Sequence, residues 1–179
     1  MDIQLNANDI KLAAHYADVF QQNKIRLQTN GIVKNHKVSN ETDFGVMYIG
    51  LLGEIAVGKV LGIAMRTDVT VGGDGALDMV YNNCSLQIKT TSFRFTSGNL
   101  RYLIFNRLTD FVADLAILCA VKNAYTIQLL GFTSRQHFLD NQIGRDFGYG
   151  LKFCMAENQL IAIDRLQNTI GSDSTEEII

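Results

Sequence analysis

The stretch Gly73–Ser92, GDGALDMVYNNCSLQIKTTS, carries the pattern on which the fold turns. Leu86 and Ile88 alternate with Gln87 and Lys89, the period-two signature of a half-buried strand. Before it, Asp78 and Val80 alternate with Leu77 and Met79. The Asn82-Asn83 pair between the two runs predicts a tight hairpin, because asparagine tolerates the left-handed backbone such turns require. Antiparallel pairing across that turn would bring Asp78 beside Gln87 and Lys89. An acid, an amide and a lysine would then share one small region of sheet.

Upstream, Thr42 or Asp43 caps a predicted helix running to about Gly62, TDFGVMYIGLLGEIAVGKVLG. It is apolar nearly all round, which predicts a buried helix, and Glu54 stands in its middle. A carboxylate in such a place is costly unless it meets a partner. A first helix is expected near the N-terminus, capped by Asn6 or Asn8, with Ile10, Ala13, Ala14, Ala17 and Phe20 as its apolar stripe. The polar, basic connection from Asn23 to Asn40 reads as loop. Further strands are expected at Asp68–Val71, Ala76–Tyr81, Ser85–Thr91, Tyr102–Asn106, Leu115–Val121, Tyr125–Phe132 and Lys152–Met155, with short helices at SRQHFLDNQ and QLIAIDRL. The whole reads as one α/β domain over residues 1–170, a mixed sheet flanked by helices, followed by a frayed acidic tail over residues 171–179.

With 179 residues, 47% hydrophobic and 19% charged, the chain suits a single globular core and not a disordered one. No apolar run was expected to reach the roughly 18 residues of a membrane span, and no signal peptide is visible. Cys84, Cys119 and Cys154 have no paired spacing and suit reduced thiols, so a cytoplasmic location is expected. The net charge of −2 gives no global nucleic-acid signature. Locally, however, no acid occurs from Val19 to Asn40 or from Ile88 to Thr109. The second of these segments holds Lys89, Arg94, Arg101 and Arg107, a set suited either to a phosphate-facing patch or to solvated strand edges.

Gly53–Val60, GEIAVGKV, resembles a phosphate-cradling loop up to its last residue. Val60 has no hydroxyl for magnesium, and the glycines interrupt a helical pattern with no strand leading in. Close packing of Gly53 and Gly58 against a sheet is the better reading. His15, His36 and His137 have no spacing that suggests a metal site or a triad.

Asp78, Gln87, Lys89 and the helical Glu54 make a set of oxygen donors with a neighbouring cation, the composition of a magnesium site acting on phosphate. The other reading makes Asp78 a turn cap, pairs Glu54 with Lys59 or Arg66, and leaves Gln87 and Lys89 on an exposed strand face. The residues alone leave both open.

The segments GLLGEIAVGKVLG, GGDGALDMVY and SLQIKTTS, in that order, resemble the PD-(D/E)xK nuclease superfamily. VADLAILCAVKN and LLGFTS continue the likeness more weakly. The resemblance covers roughly residues 42–134 and implies a restriction-endonuclease-like fold with Mg2+-dependent (or Mn2+-dependent) cleavage of DNA. Phage and mobile-element nucleases are among its members. It implies Glu54 as the helical acid and Asp78 as the principal metal ligand. Gln87 would occupy the (D/E) position, Lys89 would be the catalytic lysine, and the Ile88 backbone carbonyl would supply a further metal oxygen. Asp74 is a lesser candidate. Arg94, Arg101 and Arg107 are expected to guide the DNA backbone, and a homodimer is left open. Gln87 departs from the pattern: it keeps an oxygen acceptor but loses the charge, although Q-x-K branches of the superfamily are active. The alternative is a DNA-binding or regulatory subunit that retains the fold without cleavage.

Overall fold

The N-terminus folds where the sequence supplies a cap. Asn6 accepts hydrogen bonds from the backbone N–H groups of Asn8 and Asp9, while the Asp9 carboxylate accepts from Asn6 N–H at 2.8 Å. This reciprocal box satisfies donors that a helix start leaves orphaned, and it starts α1 (Ala7–Thr29) just after the short strand β1 (Asp2–Gln4). Asn6, rather than Asn8, is the cap. The helix continues through Lys24–Thr29, where the sequence had suggested a loop, because its polar residues face solvent and need no apolar periodicity. The computed structural model describes residues 1–29, 43–65, 77–92, 100–148 and 150–171. The expected strand at 68–71, Arg66, Asp74, Arg94 and the acidic tail lie outside the described residues.

The second helix, α2 (Asp43–Leu61), ends at Gly62, whose φ of +70° suits glycine. Phe44–Leu61 is long and apolar enough to cross a membrane by length and composition, with a mean hydropathy of 1.6. The expectation that no run reaches that length is thereby corrected: Glu54 and Lys59 interrupt the apolar run without lowering its average enough. In this fold Leu51, Leu52, Ile55, Ala56 and Val57 of α2 belong to the core. Gly53 and Gly58 allow the helix to come close, as expected. A Cβ on Gly53 would lie 1.9 Å from Thr90 Oγ1, and one on Gly58 would lie 2.5 Å from the Ile63 carbonyl oxygen.

The sheet begins at the predicted hairpin. Strand β2 (Met79–Tyr81) and strand β3 (Cys84–Thr91) pair antiparallel around Asn82 and Asn83. Both asparagines have positive φ, 47° and 62°, the requirement of a two-residue primed turn. Strand β4 (Tyr102–Phe105) leads through a 3-10 turn at Leu108–Asp110 to β5 (Leu115–Asn123), which turns back into β6 (Thr126–Ser134). Then follow α3 (Arg135–Asn141), β7 (Ile143–Asp146), β8 (Leu151–Ala156), two 3-10 turns and α4 (Leu166–Gly171).

These strands form two sheets. The larger has the order β1-β6-β5-β3-β2, with β3 and β5 parallel and the other pairs antiparallel; the smaller has the order β4-β8-β7. The class is α/β with a mixed sheet, as expected, but the layers differ from a sheet with helices on each side. Residues Leu115, Ile117 and Cys119 of β5 pack with α1 and α2, whereas Ala116 and Leu118 pack with Leu103, Phe105, Phe138 and Met155. One face of the large sheet is therefore covered by helices, and the other by the small sheet with α3.

Candidate functional site

Strand β3 has neighbours on both faces, so its alternation does not separate core from solvent. Leu86 and Ile88 face α2, and Gln87, on the opposite face, is only 1% exposed. The expected half-buried strand is thus buried on both sides for these three residues. Parallel pairing with β5 from Leu86 to Thr91 fixes this position and agrees with the tendency of parallel strands to be covered on both faces.

The hairpin register places Asp78 directly beyond the Met79–Leu86 pair, beside Gln87. Asp78 N–H donates to the Leu86 carbonyl at 2.9 Å, and the Ile88 N–H donates to the Asp78 carboxylate at 2.5 Å. The carboxylate takes the place a strand carbonyl would have occupied. An N–H and a C=O of one strand residue point to the same edge, so the Ile88 carbonyl opens on the edge that Asp78 caps. Beyond Asp78, no described strand pairs with that edge of β3.

Gln87 has its amide orientation fixed by one hydrogen bond, from Nε2 to the Asp110 carbonyl at 3.1 Å. Its Oε1 is buried with no hydrogen-bond partner among the described residues, an arrangement that costs about 1–3 kcal/mol if nothing else meets the oxygen. Lys89 lies two residues on, its Nζ 5.5 Å from the centroid of Phe105. It lines a cleft of about 280 Å³ with Val46 and Ile49 of α2, Thr90, Tyr102 and Ile104. Among the described residues no carboxylate forms an ion pair with it.

Glu54 is partly buried and follows Gly53, which rests on Thr90 and Ile88. Glu54 belongs to the helical layer, whereas Gln87 and Lys89 face the layer of the small sheet. The cleft draws its wall from both layers, at the end of β3. Lys59, one of the cations considered for Glu54, pairs instead with Asp9 of α1 at 2.8 Å. Among the described residues no three His, Cys, Asp or Glu side chains are grouped to hold a metal. A cation here would accordingly rest on Asp78, the Gln87 amide oxygen and main-chain carbonyls, with Glu54 from the helix.

The expected DNA-guiding arginines do not form one patch. Arg101 donates from Nε to Glu157 at 2.7 Å and from Nη1 to Gln128 at 3.0 Å, so its charge is met within the protein. Arg107 is exposed at the start of the 3-10 turn, where its N–H donates to the Asp110 carboxylate. Sequence reasoning missed the Asp110 carbonyl, which as main chain leaves no side-chain signal. It also missed the Asp114 carboxylate, which accepts from Ser85 N–H and Oγ at 2.8 and 2.6 Å and so ties the start of β3 to that of β5. All three cysteines are free thiols, and burial pushes Cys119 up to about 12. Burial, followed by the nearby Asp114 charge, pushes Cys84 up to about 11, which keeps both thiols protonated near neutral pH.

The fold defines an α/β protein with a mixed five-stranded sheet and a candidate polar site at the hairpin edge. No family model, curated protein or solved structure matches the chain.

Proposed function

We propose that the chain is a metal-dependent nuclease hydrolysing DNA phosphodiester bonds at the β3 edge, with a restriction-endonuclease-like fold of the PD-(D/E)xK kind. The observation that carries this reading is the buried Gln87 Oε1, which no described donor meets, one residue from the main chain on which the Asp78 carboxylate sits. An acceptor-only atom left open in a dry interior fits a hard cation, and Mg2+ or Mn2+ prefers such oxygen ligands. Asp78, Gln87, the Ile88 carbonyl and Glu54 would hold the ion. When bound, it would supply an activated water and offset charge on the phosphate. Lys89, facing the cleft with its charge unmatched by a described carboxylate, would bind the scissile phosphate and stabilise the charge that builds in the transition state.

A second reading has its own support. Asp78 is engaged by the Ile88 N–H, and the Gln87 amide holds the Asp110 carbonyl. Both contacts would serve a DNA-binding or regulatory subunit that folds this way without cleaving.

The two readings separate on incubation with supercoiled, linear, single-stranded and branched DNA, with and without Mg2+ or Mn2+. The nuclease reading expects metal-dependent cleavage that Lys89→Ala and Asp78→Ala abolish. Full cleavage by Lys89→Ala would sink the catalytic assignment, and DNA binding with no cleavage under any metal would favour the second reading.

A further inference from the structure

The small sheet carries a cation whose setting the site above does not use. Arg145 on β7 is exposed, and its guanidinium lies between two rings, 5.0 Å from the centroid of Tyr102 and 5.2 Å from that of Phe147. Its Nη1 donates to the Tyr102 hydroxyl at 2.7 Å. Among the described residues it forms no ion pair, in contrast to Lys59, Arg101 and Lys122, each of which meets a carboxylate. Its sequence neighbour Asp146 projects to the other face of the strand and spends one carboxylate oxygen on the N–H groups of Gly148 and Gly150. The direct cross-strand partner of Arg145 is Lys152, and like charges placed opposite each other are destabilising. Two cations side by side, one of them held flat between aromatic rings, form a surface whose missing component is an anion.

The position of that surface selects the anion. Tyr102, whose hydroxyl receives the Arg145 hydrogen bond, also lines the cleft of Lys89. One side chain therefore joins the two cations. A guanidinium fixed by ring contacts keeps its remaining N–H donors in a planar fork suited to phosphate, and loses little freedom on binding. We propose that Arg145, clamped by Tyr102 and Phe147 at the rim of the cleft, contacts a backbone phosphate of the DNA strand that enters it. This rests on the reading of the cleft as a DNA site, and it adds a contact from a strand that the motif does not include.

The test measures binding apart from cleavage. Fluorescence anisotropy of labelled single-stranded and duplex oligodeoxynucleotides, with wild-type protein in EDTA and with Lys89→Ala protein in Mg2+, would be followed over a series of salt concentrations. Arg145→Ala is expected to weaken binding about tenfold and to lower the dependence of log K on log salt by about one. Arg145→Lys keeps the charge but not the fork, so it should retain the salt slope while losing part of the affinity. A melting curve for each variant confirms that it folds. Unchanged affinity and slope in Arg145→Ala would overturn the proposal and leave the nuclease reading intact, and so would a loss of affinity with no change in slope. Arg145-dependent binding by a protein that never cleaves would leave the proposal standing and overturn the nuclease reading. Absence of binding to either oligodeoxynucleotide would overturn both.

Discussion

At the scale of the residue, Gln87 decides how the site is understood. A glutamate at this position would match the superfamily pattern, yet it would place a carboxylate oxygen where Nε2 now donates to the Asp110 carbonyl. Two acceptors would then face each other in a dry interior, and a charge would be added at a 1% exposed position. Glutamine supplies one donor for that carbonyl and one acceptor for whatever lies on its other side. Gln87→Glu should therefore destabilise the metal-free protein by about 1–3 kcal/mol. Millimolar Mg2+ should narrow the gap, because a bound cation compensates the added charge. Urea denaturation with and without Mg2+ measures both effects. A gap that Mg2+ leaves unchanged would count against a cation at this position. The sequence made part of this legible: alternation put Gln87 and Lys89 on one face, and the Asn82-Asn83 turn set the register that brings Asp78 alongside. It could not show that the face was covered, since the covering residues arrive from β4, β8 and α3, distant in the chain.

At the scale of the element, α2 is positioned by glycine on one side and by an ion pair on the other. Gly53→Ala gains helix propensity, up to about 1 kcal/mol, but places a Cβ 1.9 Å from Thr90 Oγ1. Because Thr90 is β-branched and sits in β3, the helix or the strand must shift, and strain of roughly 1–3 kcal/mol should outweigh the gain. Adding Thr90→Ala should recover much of the loss, so the double variant should be more stable than the two single changes predict by addition. Strict additivity in urea melts would show that Gly53 does not act through Thr90. On the other side, Asp9 closes the α1 cap and meets Lys59 of α2. Burial works to raise its pKa, but the hydrogen bonds from Lys59 and Asn6, with the Lys59 charge, prevail and hold the carboxyl below its ordinary value. A carboxylate lowered in the folded state stabilises above its unfolded pKa, and that contribution disappears as pH falls through the folded one. The difference in Tm between wild type and Asp9→Asn should be constant above about pH 5 and close below about pH 4. A difference that persists to about pH 2.5 would exclude the charge as its source. Elements of this kind were legible where periodicity and caps agreed. Strands β1 and β7 were not, because three or four mostly exposed residues carry no apolar alternation.

At the scale of the whole molecule, the two cores share a wall. Leu115, Ile117 and Cys119 point from β5 into the helical core, while Ala116 and Leu118 point from the same strand into the second. Alternation along a sequence predicts such a strand but cannot say which strands will pair, so the separate sheet of β4, β8 and β7 was not foreseeable from it. The shared wall has an energetic consequence. Phe138 is fully buried and meets Phe105 and Phe111 edge to face, with centroids 5.1 and 5.5 Å away. Removing its ring should cost about 3–5 kcal/mol in lost burial and cavity. If β5 couples the cores, the second cannot open without exposing the back of the strand that supports the first. Phe138→Ala should then lower the protection of the slowest-exchanging amides in α2 by the same free energy as those in β8, although α2 does not share Phe138's core. Native-state hydrogen exchange reads both elements in one experiment. Faster exchange in β8 with α2 unchanged would mean that the small sheet opens alone, and the cleft between the layers would then have a wall free to move without unfolding the rest.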